Sequence, residues 1–258
     1  MSHFTAMPRH DYRTPRLYVD APLKQGENLT LDAGQTNHVA NVLRLKAGDG
    51  VLVFNGRDGE WRASLAQAGK RAFALSIQSR SREQSAAFDL HYLFAPLKHS
   101  RLDYMAQKAV EMGASRLQPV ITQYTQASRV NLARVRANAI EAAQQCGILA
   151  LPEIASPLSL ERMVSERNAD RLLIFCDEEA DVADPVAALS AMRPGSRDGS
   201  IPLAVLIGPE GGFAPEERRM LSALPNTVRI SLGPRILRAD TAAVAALAVV
   251  GAVLGDWR

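Results

Sequence analysis

Residues 232–254 read LGPRILRADTAAVAALAVVGAVL. The Gly233-Pro234 pair marks a turn and disfavours helix or strand at that point, so a helix begins only after it. Asp240 and Thr241 have the short polar side chains that cap a helix N-terminus, and from Ala242 onward almost every residue is small or aliphatic. A helix with no polar face is buried, because exposing it leaves apolar area in water at about 25 cal/mol per Å². At about a dozen residues it is too short to cross a bilayer, which takes roughly 20.

N-terminal to this stretch, strand and helix patterns alternate. FDLHYLFAPL (88–97), RLQPVIT (116–122), RLLIFCD (171–177), PLAVLIG (202–208) and TVRISL (227–232) read as strands. Between them RLDYMAQKAVEMG (101–113), NLARVRANAIEAAQQCG (131–147), residues 158–166, PVAALSAM (185–192) and PEERRMLSAL (215–224) read as helices, two of them closed by Gly113 and Gly147. The alternation predicts right-handed βαβ crossovers, a mostly parallel sheet covered on both faces, and ligands at the C-terminal strand ends. Two loops sit at such ends. IGPEGGF (207–213) joins an apolar strand to a helix that Pro215 can open, and LGPRILRADT (232–241) follows the last strand. Neither is a Walker loop, since no Gly-Lys-Ser/Thr follows, and neither is GxGxxG. Two Gly-Pro turns at two strand ends point to one shared pocket, although such turns also join strands to helices in many folds.

The N-terminal third has another rhythm. RLYV, NLTLD, GVLVFNGRDGEWRASL and FALSIQ are short β-type runs between residues 16 and 78, and FNGRDGEW (54–61) is the clearest hairpin signal. A small β-barrel is expected. Residues 38–46, HVANVLRLK, read as a short helix with Val39, Val42 and Leu43 inward and His38, Asn41, Arg44 and Lys46 outward. The basic side is either solvated or an RNA grip. QSRSREQSAA (78–87) is polar and small, as in a boundary loop. The organisation is a flexible extension over 1–12, a barrel over 13–80, a linker over 81–87 and an α/β domain over 88–258.

With 258 residues and 47% hydrophobic content the chain can build a real core. The N-terminus has no apolar segment followed by a cleavage site, so a cytoplasmic protein without a membrane anchor is the default. Cys146 and Cys176 lack metal-ligand spacing and read as reduced, partly buried thiols. His3, His10, His38, His91 and His99 are scattered without a second ligand at helical or hairpin spacing, which argues against a metal site. The net charge of +3 is uneven: residues 1–83 hold 12 Lys and Arg against 8 Asp and Glu. That N-terminal excess suits an anionic partner.

The two loops, with RLYV near the start, HVANVLRLKAGDGVLVFNGRDGEW (38–61), PLKHSRLDYMAQKAVEMGASRLQPV (96–120) and EAAQQCG (141–147), resemble the RsmE family, the bacterial 16S ribosomal RNA uracil-N3 methyltransferases of the SPOUT superfamily. The likeness covers nearly the whole chain. It implies a PUA-like N-terminal β-barrel, a C-terminal α/β domain with a trefoil knot, S-adenosylmethionine as methyl donor, and a homodimer packed around the C-terminal helix. A non-catalytic RNA-binding assembly factor with the same fold is the alternative, and a nucleotide-binding oxidoreductase a more distant one. The family usually has Arg-Thr-Glu-Thr where this chain has Arg238, Ala239, Asp240 and Thr241, and a Ser or Thr where it has Ala214.

The resemblance also assigns residues. The cofactor is expected near Leu206, Ile207, Gly208, Pro209, Gly211, Gly212, Leu232, Gly233, Ile236, Leu237 and Thr241, with Phe175 lining the pocket at a third strand end. Gly211→Val is expected to abolish cofactor binding by filling ligand space. Uracil N3 is a weak nucleophile while protonated, so the site must remove that proton or stabilise the anion. Arg235 and Arg238 are candidates for the stabilising cation, and Glu210 or Asp240 for the proton acceptor, with helix capping the competing role for Asp240. Arg16, His38, Arg44 and Lys46 are expected to hold the RNA. Lys98, Arg101 and Glu111 match family positions as RNA contacts or scaffold.

Overall fold

The computed structural model describes residues 11, 13–69, 72–98, 100–127, 129–181, 184–193 and 201–257. The extension expected at the N-terminus, Asp11 apart, and His3, His10 and His99 lie outside the described residues. The chain divides into two compact units, residues 1–86 with 143–150, and residues 87–142 with 151–258.

The first unit holds β1 (Arg16–Tyr18), β2 (Asn28–Thr30), β3 (Gly50–Phe54), β4 (Glu60–Gly69) and β5 (Ala72–Arg82). They form one sheet in the order β1-β3-β4-β5-β2, with β1 parallel to β3 and the other pairs antiparallel. Leu17, Val39, Val53, Leu65, Leu75 and Ile77 gather in its core. The β3–β4 hairpin turns where the sequence predicts it: the Asn55 side chain accepts the N–H groups of Arg57 and Asp58 at 3.0 and 2.9 Å, and Gly56 and Gly59 take φ of 85° and 84°. Strand β5 continues to Arg82, pairing with Glu60, so the first half of the expected boundary loop is strand. Gln144, near the end of a later helix, accepts the Tyr18 N–H at 2.8 Å, and Arg82 donates to the Gly147 carbonyl at 2.9 Å, which explains why 143–150 belong here.

The helix expected over 38–46 is displaced. Helix α1 (Ala33–Asn37) starts earlier, where Asp32 accepts the Gln35 N–H at 2.7 Å, and passes into a π-helical turn over His38–Val42. The turn closes with Leu43 N–H on the His38 carbonyl at 2.9 Å, and Arg44 then takes a φ of 56°. The wider turn changes which residues face the core. Val39 is buried and Leu43 packs on the core, whereas Val42, expected inside, is 61% exposed.

The second unit contains β6 (Leu90–Phe94), β7 (Arg116–Ile121), β8 (Glu153–Ile154), β9 (Leu158–Ser159), β10 (Leu172–Cys176), β11 (Leu203–Ile207) and β12 (Thr227–Ile230). Its helices are α2 (Ser100–Glu111), α3 (Leu132–Cys146), whose last residues cluster with the first unit, α4 (Leu160–Glu166), α5 (Pro185–Ala191), α6 (Pro215–Ser222) and α7 (Ala239–Val253). The strand order is β12-β10-β11-β6-β7-β8, with β9 also on β7, and every pairing is parallel. The fold is the α/β class expected from the alternation. One sheet face packs Leu93, Phe175 and Leu206 with Met163 of α4, Leu221 of α6 and Phe213.

Helix α7 starts at Ala239, earlier than expected, with Arg238 at the cap position and no side-chain cap bond. Asp240 and Thr241 therefore lie inside the first turn instead of capping it. The helix contacts α2, α5 and β11, and Ala243, Ala246, Leu247 and Val250 are buried. The expectation of full burial does not hold: Val244, Ala245, Ala248 and Val249 are half-buried and Ala252 is exposed. Among the described residues no helix is long and apolar enough to cross a membrane.

Candidate active site

The strand order explains how two distant loops meet. From β10 the chain crosses to β11 on one side, then returns with β12 to the other side of β10. A reversal of this kind opens a crevice at the C-terminal strand ends. The β11–α6 and β12–α7 loops flank that crevice, with Cys176, Asp177 and Glu178 between them, around a cleft of about 750 Å³. That volume is in the range of small-molecule sites, roughly 300–1,000 Å³.

Ile207, Gly208, Pro209, Glu210, Gly211 and Gly212 line one wall, and Leu232, Gly233, Arg235, Ile236, Leu237 and Arg238 the other. Four expected residues do not line it. Phe175 and Leu206 are wholly buried in the core, Phe175 with its ring edge-on to Phe213 at 5.0 Å. Strand alternation turns their successors, Cys176 and Ile207, to the cleft instead. Asp240 and Thr241 are carried away by the early start of α7, and Ala239 and Ala242 take the lining positions. Asp240 accepts the N–H of Thr241 at 2.9 Å.

Most of the glycines serve backbone shape and packing. A Cβ on Gly208 would lie 2.5 Å from the Phe213 ring, and one on Gly212, at φ 70°, would lie 2.5 Å from Glu178 Oε1. A Cβ on Gly211, which lines the cleft, would meet Tyr124 at 3.2 Å, so a side chain there also presses on Tyr124.

The floor and one wall are tied down by charge. Asp177 is fully buried, and its carboxylate accepts from Arg218 Nε at 3.1 Å and Arg229 Nε at 2.8 Å. Arg218 also reaches Glu178 at 2.6 Å and Glu179 at 3.0 Å. Burial, with the Asp177 carboxylate adding to it, pushes the Cys176 thiol up to about 12, which leaves it protonated and no nucleophile. Cys146, expected partly buried, is exposed. Glu217 joins the first wall to its neighbour: Oε2 accepts the Ala214 N–H and Oε1 the Gln123 N–H, both at 2.8 Å. Ala214 has no side-chain acceptor to answer it, so only half a capping box exists. The acidic run after β10 and Glu217 were not singled out from sequence; a DEE triplet directly after an apolar strand was the available signal.

At the rim Glu210 pairs with Arg101 at 3.4 Å, while Arg235 and Arg238 are exposed and their side chains make no hydrogen bond or ion pair among the described residues. Lys98 is exposed, and Glu111 is bound by Lys108 at 2.8 Å. In the first unit Arg16 is not available to RNA. It is 8% exposed, donates Nε to Glu60 at 2.9 Å, and gives Nη2 to the Asp11 carbonyl at 2.8 Å. His38 is half-buried in the π-helical turn, and Arg44 and Lys46 are exposed. No cluster of three or more metal-ligating side chains occurs among the described residues.

Residues 83–251 match the model of an RNA methyltransferase domain, and residues 31–78 that of an RNA methyltransferase PUA domain. The chain is 30% identical over 236 residues to the ribosomal RNA small subunit methyltransferase E of Rickettsia conorii, covering 91% of this chain and 94% of that protein. A Legionella pneumophila structure, described as a methyltransferase in complex with the cofactor SAM, is 30% identical, with a TM-score of 0.81 over 95% of this chain and 99% of that one. The fold is also shared with the Neisseria gonorrhoeae methyltransferase E, at 23% identity and a TM-score of 0.82 over 95% of this chain and all of that one. The chain belongs to the ribosomal RNA small subunit methyltransferase E family of RNA methyltransferases.

Proposed function

We propose that the protein methylates N3 of a uridine in 16S ribosomal RNA of the small ribosomal subunit, in the cytoplasm and as a homodimer, with S-adenosylmethionine as the methyl donor. The observation that carries this reading is the convergence of the two Gly-Pro loops across β10 into one cleft, with two arginines on its edge whose side chains have no partner among the described residues. The lining fits a nucleoside-sized cofactor. Ile207, Leu232 and Leu237 supply apolar surface, and among the described residues no backbone N–H of residues 232–237 is engaged in an internal hydrogen bond. When bound, S-adenosylmethionine supplies an electrophilic methyl group. Relatives in the family, one of them solved with SAM, support the assignment.

The chain's own residues then position and deprotonate the acceptor. Arg235 and Arg238 stabilise the uracil anion, whose charge spreads to O2 and O4. Glu210 is better placed than Asp240 to take the N3 proton, since it lines the cleft and Asp240 does not. N3 lies on the Watson-Crick edge, so the target base must be unpaired or extruded. Arg44, Lys46 and Lys98 are exposed cations suited to phosphate contacts, with Arg101 shared between RNA and Glu210. The half-exposed apolar flank of α7 and Ile236, 91% exposed, support a dimer over that helix. The reading includes a C-terminal segment threaded as a knot.

Small subunits lacking the modification, incubated with labelled methyl donor and analysed by nucleoside mass spectrometry, are expected to gain 3-methyluridine. Tight RNA binding without label transfer would favour the non-catalytic assembly factor.

A further inference from the structure

A second, shallower hollow adjoins the cleft. Gln123, Tyr124, Thr125, Gln126 and Gly211 line it, and Gly211 also lines the cleft, so the two spaces share one residue of wall. Among the described residues no charged side chain lines the hollow. Its features are an aromatic ring, 44% exposed, and two exposed carboxamides.

The segment that carries Tyr124 is held in place. The Thr122 N–H donates to Thr125 Oγ1 at 2.9 Å, and the Thr125 N–H returns to the Thr122 carbonyl at 3.1 Å. The Gln123 N–H is bound by Glu217, the carboxylate that also holds the start of α6. The missing side chain of Gly211 allows the cleft loop to approach the Tyr124 Cβ. A ring fixed on a rigid turn and left in water contributes little to the core, and its apolar face suits a ligand. A phosphate would need cations. A neutral flat group with hydrogen-bonding edges matches this lining, and unpaired bases stack on aromatic side chains irrespective of sequence.

We propose that this hollow is the nucleobase subsite: an unpaired pyrimidine of the RNA stacks on the Tyr124 ring, and its carbonyl oxygens pair with the carboxamides of Gln123 or Gln126. The assignment rests on the RNA methyl transfer proposed above. Tyr124 is a binding and positioning residue that leaves the cofactor walls intact.

The test compares wild type, Tyr124→Ala and Tyr124→Phe by fluorescence anisotropy with a short uridine-containing single strand of small-subunit ribosomal RNA, beside calorimetry with S-adenosylmethionine. Tyr124→Ala is expected to weaken RNA binding about tenfold, the order of one lost base stack. Tyr124→Phe keeps wild-type affinity, and both variants bind the cofactor as wild type does. Equal RNA affinity for Tyr124→Ala overturns the subsite, as does cofactor affinity falling in step with RNA affinity, or a wild type that does not bind the strand. RNA binding that depends on Tyr124 in a wild type that transfers no methyl would instead remove the methyltransferase reading and leave the subsite standing.

Discussion

Arg16 and Arg44 carry the same guanidinium into opposite settings. Arg16 is enclosed with Glu60, and Arg44 stands in water at a left-handed backbone position. Removing Arg16 takes the 2.9 Å charge-assisted bond from the buried Glu60 carboxylate and leaves it with Arg82 at 3.5 Å, at a cost of about 2 kcal/mol. Arg16→Ala is therefore expected to lower the unfolding free energy by that order, read as a lower urea midpoint. Arg44→Ala should leave the midpoint unchanged and reduce the salt dependence of RNA binding by about one phosphate contact. Parallel stability losses in the two variants would contradict the assignment. His91 provides a titration test. Burial, reinforced by the Arg171 guanidinium, lowers its pKa to about 4, against the opposing pull of Asp89 at 3.5 Å. The folded value lies below the ordinary 6.5, so the unfolded chain takes up the proton first. Stability from this group is complete above pH 6.5 and is lost as the pH falls towards 4. Between pH 7.5 and 5 the unfolding midpoint of wild type should drop further than that of His91→Gln, and equal drops would count against it. Neither setting was legible from the residue alone, because exposure of a basic side chain depends on what the rest of the chain brings beside it.

At the scale of elements the strands and helices of the second unit follow the apolar runs, and the glycine-rich hairpin of the first unit follows its turn chemistry. What the runs conceal is parity. In β10 and β11 all five residues are buried, so no alternation tells which side chain meets the cleft. The resemblance places Phe175, Leu206 and Ile207 beside the cofactor; of these Ile207 lines the cleft, and Cys176 rather than Phe175 lines it at the end of β10. The π-helical turn was hidden for a related reason, since a 3.6-residue period cannot represent a bond from residue 43 back to residue 38. Helix α6 shows a half-made local device: Glu217 reaches back to the Ala214 N–H, but Ala214 returns nothing. Ala214→Ser supplies the missing acceptor and is expected to raise stability by about 1 kcal/mol in equilibrium unfolding. A loss of stability would mean that the fully buried position has no room for the hydroxyl.

For the whole molecule, the order of strands along the chain was legible and their lateral order was not. The two Gly-Pro loops looked equivalent in sequence, but their meeting depends on β12 crossing back over β10, a choice made by the packing of α5, α6 and α7. That crossing is what makes a cleft from segments about two dozen residues apart, and the cleft is where methyl transfer is proposed. Ala242, the second small residue of α7 on the lining, gives access to it without disturbing a loop. Leucine is nearly as good a helix former as alanine, so Ala242→Leu adds volume to the cleft at little local cost. Calorimetric titration of S-adenosylmethionine into wild type should give one saturable site per chain, and into Ala242→Leu an affinity at least tenfold weaker with an unchanged ligand-free melting temperature. A wild type that takes up no S-adenosylmethionine, or a variant that binds it equally well, would contradict the placement of the cofactor between the two loops.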